Sequence, residues 1–257
     1  MATYKTEGLI LRKRLIGETD RLYSIYTKKY GKIEAVADGS AKITSKQAGD
    51  LEPFSFSRLM IARGKSIDRV ADARTISNFR EGKSDWDSMV LAWSVVEGLD
   101  RLTFNGVAEA EAYDLLEELF QYIKSSAFRE EKIFIQVQFF WLLFYLLGHR
   151  PLLDSSQAEF QDFINREIFF NKKNGTFFSD NLSTNSDNGF IKIPKNLFDL
   201  LKEIDKYYIS NREFLHYPKV NYNLLKLFYS LVTNYYQSLT NNKINSIQLL
   251  IYGRQKR

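Results

Sequence analysis

The chain has 257 residues, 44% hydrophobic and 26% charged, close to globular averages, which excludes wholesale disorder and a fibrous repeat and leaves room for one large domain or two modest ones. Lys and Arg number 36 against 31 Asp and Glu, a formal charge of +5 that by itself decides nothing about nucleic acid. Zero Cys excludes disulfides, thiolate nucleophiles and every cysteine-ligated zinc or iron–sulfur site, and two His leave little for a histidine metal cluster.

The first eight residues hold no cationic segment leading into an apolar stretch, so no signal peptide is read and the expected address is cytoplasmic. Residues 5–13 crowd Gly8, Leu9, Ile10 and Leu11 together ahead of Arg12, Lys13 and Arg14, as in a bent strand partly buried on both faces. Residues 21–27 and 32–37 are β-rich runs separated by Tyr30 and Gly31, a hairpin signal. After a polar stretch over 38–50, residues 54–62 and 67–79 give two more strands flanking Arg63, Gly64, Lys65 and Ser66. Five strands in about 75 residues suit a small closed barrel of the OB type.

From residue 85 the period changes. Trp86, Met89, Val90, Trp93, Val96 and Leu99 or Asp100 follow helical spacing, and residues 108–123 repeat it through Tyr113, Leu116, Leu119, Phe120 and Ile123. Residues 129–147 are apolar nearly all round and predict a central helix; its longest apolar run, 139–147, is far short of the roughly 20 residues that span a bilayer. Gly148 and Pro151 end it. Residues 169–178 place Asn174-Gly175 between aromatic pairs, a strong hairpin signal, and a polar loop follows over 182–189. Helices resume over 195–209, 222–237 and 245–252, with a basic tail. The expected class is α+β multidomain: a barrel over 1–80, then an all-α helical bundle over 81–257 carrying a small β-hairpin insertion at about 152–190.

Charge is distributed unevenly along this division. Residues 1–80 hold 16 basic and 9 acidic residues, 81–131 hold 4 and 12, and 132–257 hold 16 and 10. A small total thus conceals a basic barrel, an acidic first helical pair and a basic second half.

Thr6-Glu7-Gly8, Gly17-Glu18-Thr19-Asp20-Arg21-Leu22, Tyr30-Gly31-Lys32, Ala48-Gly49 and Leu51-Glu52-Pro53-Phe54, in this order and spacing across about 80 residues, resemble the start of the RecO family of bacterial recombination mediators. Leu146-Leu147-Gly148-His149-Arg150-Pro151-Leu152-Leu153-Asp154 is more loosely similar to a segment of the same family. The resemblance implies a barrel plus helical domain that binds single- and double-stranded DNA, anneals complementary strands without ATP, and with RecR helps load RecA, so that RecA is an indirect partner. It also implies docking of the acidic C-terminal tail of single-stranded-DNA-binding protein on the second half, and association with the nucleoid. Two departures stand out. Family members often carry two Cys-x-x-Cys pairs for zinc; the matching positions here are Ser156, Glu159, Phe178 and Asn181, so no zinc is expected, and Phe169, Phe170, Phe177 and Phe178 are candidates to hold the hairpin instead. A basic run after the third strand is replaced by Asp38-Gly39-Ser40-Ala41-Lys42.

Barrels of the OB type bind strands over strands 2 and 3 and between the loops joining strands 1–2 and 4–5. Candidate DNA-binding residues near those places are Arg12, Arg14 and Arg21; Lys28, Lys29 and Lys32; Lys42 and Lys46; and Arg63 and Lys65. Such cations give sequence-independent, salt-sensitive phosphate binding. Tyr23 is the preferred base-stacking candidate and Tyr26, sharing parity with Leu22, the expected core residue. Gly64-Lys65-Ser66 and Gly82-Lys83-Ser84 lack the glycine five positions earlier that a P-loop needs, since Leu59 and Ser77 stand there. No catalytic centre, cofactor or metal is expected, and the protein is read as a non-enzyme. The competing reading is an interaction scaffold without DNA binding, acting through RecR or single-stranded-DNA-binding protein; a module for structured RNA is a third.

Overall fold

The computed structural model describes residues 2–79, 85–125, 128–151, 167–180 and 189–243. The chain forms two compact units, Met1–Ser125 and Ser126–Arg257, so the first two helices group with the barrel. The composition change near residue 80 marks where strands give way to helices.

In the first unit β1 (Thr3–Ile16), β2 (Asp20–Thr27), β3 (Gly31–Ala37), β4 (Phe56–Ala62) and β5 (Asp68–Ser77) close into a barrel in the order β1-β2-β3-β5-β4. The expected bent first strand is long because it serves two partners. Thr3 to Leu9 pair with β4 and Gly8 to Ile16 with β2, with a register shift between Ile10 and Arg12; such a bulge sharpens twist and lets a strand turn a barrel corner. Tyr23, Ile25, Ala35, Leu59, Ile61 and Val70 belong to the interior core, together with Leu51 from the connection after β3. The Leu51-Glu52-Pro53-Phe54 segment is clipped to β1, where Phe54 N–H donates to Ile10 O and Ile10 N–H to Ser55 O, both at 3.0 Å.

Outside the barrel lie α1 (Trp86–Leu102) and α2 (Ala110–Ser125). Asp85 caps α1 by accepting from Ser88 N–H at 3.0 Å, satisfying one of the free donors of the first turn. Aromatic edges join these helices to the barrel: Phe54 meets Trp93 with centroids 4.8 Å apart, and Phe56 and Phe79 meet Phe120 at 5.4 and 5.2 Å. The stripe expected on α1 holds in part. Val90, Val96 and Leu99 are buried as expected, with Leu91, Val95 and Leu102 buried beside them, while Trp86 and Trp93 are 60% and 46% exposed, a choice that periodicity alone does not make in a helix apolar on more than one side.

In the second unit α3 (Arg129–Leu146) is buried over nearly its whole circumference, beside α4 (Lys195–Asn211) and α5 (Tyr222–Thr240). The expected hairpin is one strand larger: β6 (Glu167–Asn171), β7 (Thr176–Asp180) and β8 (Phe190–Ile193) form a sheet in the order β7-β6-β8. Phe170 packs against Phe177 (4.8 Å) and Tyr235 (5.3 Å), Phe177 against Phe198 (5.3 Å), and Phe178 against Phe169 and Phe190 (5.7 and 5.1 Å). The four phenylalanines expected to form one apolar cluster instead pair across the hairpin on its two faces, Phe170 with Phe177 toward α4 and α5 and Phe169 with Phe178 on the opposite side, as adjacent residues of a strand must. Gly175 has φ +69°, and a Cβ there would stand 2.4 Å from the Tyr235 hydroxyl, so any side chain at this turn would have to displace that ring from its bond to His149 O. Ser156, Glu159, Asn181 and the 245–252 helix expectation lie outside the described residues.

One buried carboxylate in this unit titrates unusually. Asp205 Oδ1 accepts from Trp141 Nε1 at 2.8 Å, but Oδ2 has no hydrogen-bond partner among the described residues, and the Arg150 guanidinium stands 3.7 Å away. Burial raises its pKa, the indole bond and Arg150 opposing. A group whose folded pKa lies above its unfolded value near 3.9 costs stability as pH rises from that value through the folded one. Asp205→Asn keeps an acceptor for the indole, so urea midpoints should fall with rising pH in the wild type across this window and fall less in the variant. A wild-type decline matched by the variant would show that the carboxyl is not the titrating group.

Candidate nucleic-acid interface

The outer face of β2 and β3, where a strand was expected to bind, is occupied by the molecule's own acidic helices. Arg12 Nε lies 3.2 Å from Asp100 and another of its guanidinium nitrogens 3.8 Å from Glu34. Lys32 Nζ is 3.2 Å from the Asp100 carboxylate and also donates to the Asp100 backbone carbonyl. Lys28 Nζ sits 2.5 Å from Asp114 of α2, a hydrogen bond that raises the lysine pKa. Ser24 Oγ donates to Asp100 at 3.2 Å and the Tyr26 hydroxyl to Glu109 O at 3.3 Å; burial pushes the Tyr26 phenol up to about 12. Three expected phosphate contacts are thus engaged by Asp100 and Asp114.

Tyr23 requires a correction. It is fully buried, 0% exposed, inside the barrel core, and so presents no ring to a base. Parity separates the two tyrosines of β2 only where one face of the strand is wet. Both faces are covered, by the barrel interior on one side and the helices on the other, and Tyr26 is buried as well.

The remaining candidates are not so engaged. Arg14, Arg21, Lys29, Lys42, Lys46 and Lys65 form no ion pair among the described residues, and all but the half-buried Arg21 are exposed. They fall in two groups. Arg14 and Arg21 flank the β1–β2 turn, and Lys42 and Lys46 follow β3. That loop is tied to the turn: Ala41 N–H donates to Thr19 O at 2.8 Å and Gly39 N–H to Asp20 Oδ1 at 2.7 Å. The Gly39 bond, with a second from Thr19 Oγ1 at 2.9 Å, holds the Asp20 carboxyl below the usual range. Asp38, which stands in the altered loop, pairs with Arg69 and so does not face Lys42 alone.

The second group gathers where the β2–β3 and β4–β5 turns meet the start of β1. Arg63 lies over the Tyr4 ring at 5.5 Å, Tyr4 contacts Tyr30 with centroids 4.4 Å apart, and the Tyr4 hydroxyl donates to Asp68 at 2.7 Å. Lys29 is in the first turn and Lys65 in the second. An open groove of about 410 Å³ runs here along the outer faces of β1 and β4, lined by Lys5, Thr6, Glu7, Lys28, Lys29 and Arg58. Lys5 was missed, as was Arg58, which is engaged by Glu7 at 3.3 Å. The signal that finds them is register: Lys5 stands across from Met60 and Glu7 from Arg58, which follows only once β1 is known to pair with β4 as well as β2.

Gly64-Lys65-Ser66 sits in the turn between two antiparallel strands, not between a strand and a helix, so it cannot cradle a nucleotide phosphate in the P-loop manner. Among the described residues no group of three His, Asp or Glu could hold a metal ion, and no helix is long and apolar enough to cross a membrane.

Counted by structural unit, the charge picture reverses. The unit Met1–Ser125 holds 19 basic and 19 acidic residues, and the excess of five positive charges lies in Ser126–Arg257. Affinity for a polyanion on the first unit therefore depends on where its unpaired cations lie, not on its net charge.

Residues 1–79 match the family model described as recombination protein O N terminal. Curated relatives named DNA repair protein RecO include that of Desulfitobacterium hafniense, 30% identical over 153 residues, 60% of this chain and 55% of the relative. That of Desulforudis audaxviator is 32% identical over 156 residues, 60% of this chain and 61% of the relative. The matches thus span somewhat over half the length of these relatives.

Proposed function

We propose, for a chain that belongs to the RecO family through its N-terminal barrel, a non-enzymatic role in DNA repair and recombination in the cytoplasm. In this reading it binds single- and double-stranded DNA through the barrel cations left free of the acidic helices. The observation that supports it is the grouping of Arg14, Arg21, Lys42 and Lys46 around one end of the barrel and of Lys29, Arg63 and Lys65 around another. Cations without carboxylate partners retain the counterion-releasing attraction to phosphate that paired ones have lost. Annealing then follows as charge neutralisation: two strands held on cationic surface repel each other less, so complementary bases can meet. Hand-over to RecA with RecR, and docking of the acidic tail of single-stranded-DNA-binding protein on the second unit with its excess of positive charge, complete the proposal.

A second reading, an interaction scaffold for RecR or single-stranded-DNA-binding protein without DNA affinity, is favoured by the covered β2–β3 face and the neutral first unit. A salt-titrated binding series with single-stranded DNA, duplex and RNA distinguishes the two. Several phosphate contacts should give a log–log slope of about −0.7 per contact for single strands; a slope near zero would establish the scaffold and remove DNA binding.

A further inference from the structure

Three aliphatic side chains project into solvent at the end of the barrel that carries the first cation group. Leu15 is 61% exposed, Ile16 39% and Ile43 fully exposed. Leu15 stands across from Arg21 and Ile16 from Asp20 where β1 and β2 run into their turn. Ile43 lies two residues beyond Ala41, whose N–H ties this loop to the same turn, and directly after Lys42. Single exposed aliphatics are ordinary. Three at one projecting end, flanked by Arg14, Arg21, Lys42 and Lys46, combine apolar tips with a grip for a polyanion.

We propose that this end is a wedge whose apolar tips enter between the bases of a DNA strand held by the flanking cations. The inference rests on the DNA-binding reading above and adds which side chains touch bases. It also supplies the base contact that Tyr23 cannot make. The occupant follows from charge: four cations that form no ion pair among the described residues favour an anionic chain, and among anionic chains nucleic acid presents apolar faces between its charges. Aliphatic wedges next to basic residues unstack base steps in this way. Unstacking costs least where bases are already unpaired, so the wedge should favour single strands and open junctions over intact duplex.

The test uses the full chain and single-stranded DNA carrying 2-aminopurine, whose fluorescence rises on unstacking, with anisotropy of a dye-labelled strand reporting binding separately. Wild type should bind with a rise. Leu15→Ser with Ile43→Ser should change affinity less than about threefold, since no cation is removed, yet lose most of the rise; Leu15→Met with Ile43→Met should keep it. Binding without a rise in wild type, or an undiminished rise in the serine variant, overturns the wedge while leaving DNA binding intact. Absence of wild-type binding by anisotropy overturns both.

Discussion

Replacing Arg14, Arg21, Lys42 and Lys46 together with Ala is expected to weaken single-stranded DNA binding by about a hundredfold or more at moderate salt, and to reduce the magnitude of the log–log salt slope by about 3, four contacts at roughly 0.7 each. The companion variant, Arg12, Lys28 and Lys32 to Ala, should change affinity less than about threefold, although it removes almost as many cations from the same barrel. Its cost should appear in folding. Lys32 and Asp100 are both largely buried in their pair, and leaving Asp100 without that partner costs about 1–3 kcal/mol; the Lys28–Asp114 pair, half exposed on both sides, adds little. Anisotropy titrations at three salt concentrations and urea midpoints for both variants make the comparison. Equal losses of affinity in the two would mean that DNA displaces α1 and α2 from the β2–β3 face, and the assignment to the free cations would fail.

The contrast explains what could and could not be read from the residues alone. The barrel was legible because its five strands are local: β-rich runs, a Tyr-Gly turn and a bend at Gly8 to Leu11 lie within 80 residues and pair mostly with sequence neighbours. The division of charge along the chain was equally legible. What it meant was not, because ion pairs such as Lys28–Asp114 and Arg12–Asp100 join residues more than 80 positions apart, and neither residue carries a local mark of its partner. Tyr23 failed for the same reason in apolar form. Alternation on β2 cannot distinguish a wet outer face from one covered by helices 60 to 90 residues downstream, and the run Leu22-Tyr23-Ser24-Ile25-Tyr26 holds no charged residue that would have marked a solvent side. Lys5 and Arg58 were hidden by the double pairing of β1. In the second unit the hairpin was legible because its phenylalanines sit in two adjacent pairs about a turn, but their division between two faces follows only from the register, and β8 carries only Phe190, Ile191 and Ile193 as its signal.

The largest effect on folding is expected at Gly31, inside the Tyr30-Gly31-Lys32 segment that contributed to the family resemblance. Its φ is +64°, and a Cβ built there would stand 2.0 Å from the Val107 carbonyl oxygen. The segment after α1 is laid against this turn: Gly106 N–H donates to Lys32 O at 2.9 Å and Asn105 bridges Lys32 in parallel. Gly31→Ala therefore combines two costs. Left-handed backbone costs a non-glycine residue about 1–2 kcal/mol, and backbone cannot rotate out of the way as a flexible side chain can, so the 103–109 connection must lift and lose its bonds to β3. Together these should destabilise the first unit by roughly 3 kcal/mol or more, in the upper range for single substitutions. Gly17→Ala separates the terms, because Gly17 has nearly the same φ, +63°, with nothing within 4 Å of its Cβ position; it should cost only the conformational part. Hydrogen exchange of peptides spanning β2 and β3 in the full chain, compared with peptides from α3 and α5, locates the effect. Faster exchange in β2 and β3 for Gly31→Ala but not Gly17→Ala is the expected result, and equal protection in the two variants would show that the Val107 contact does not constrain the turn.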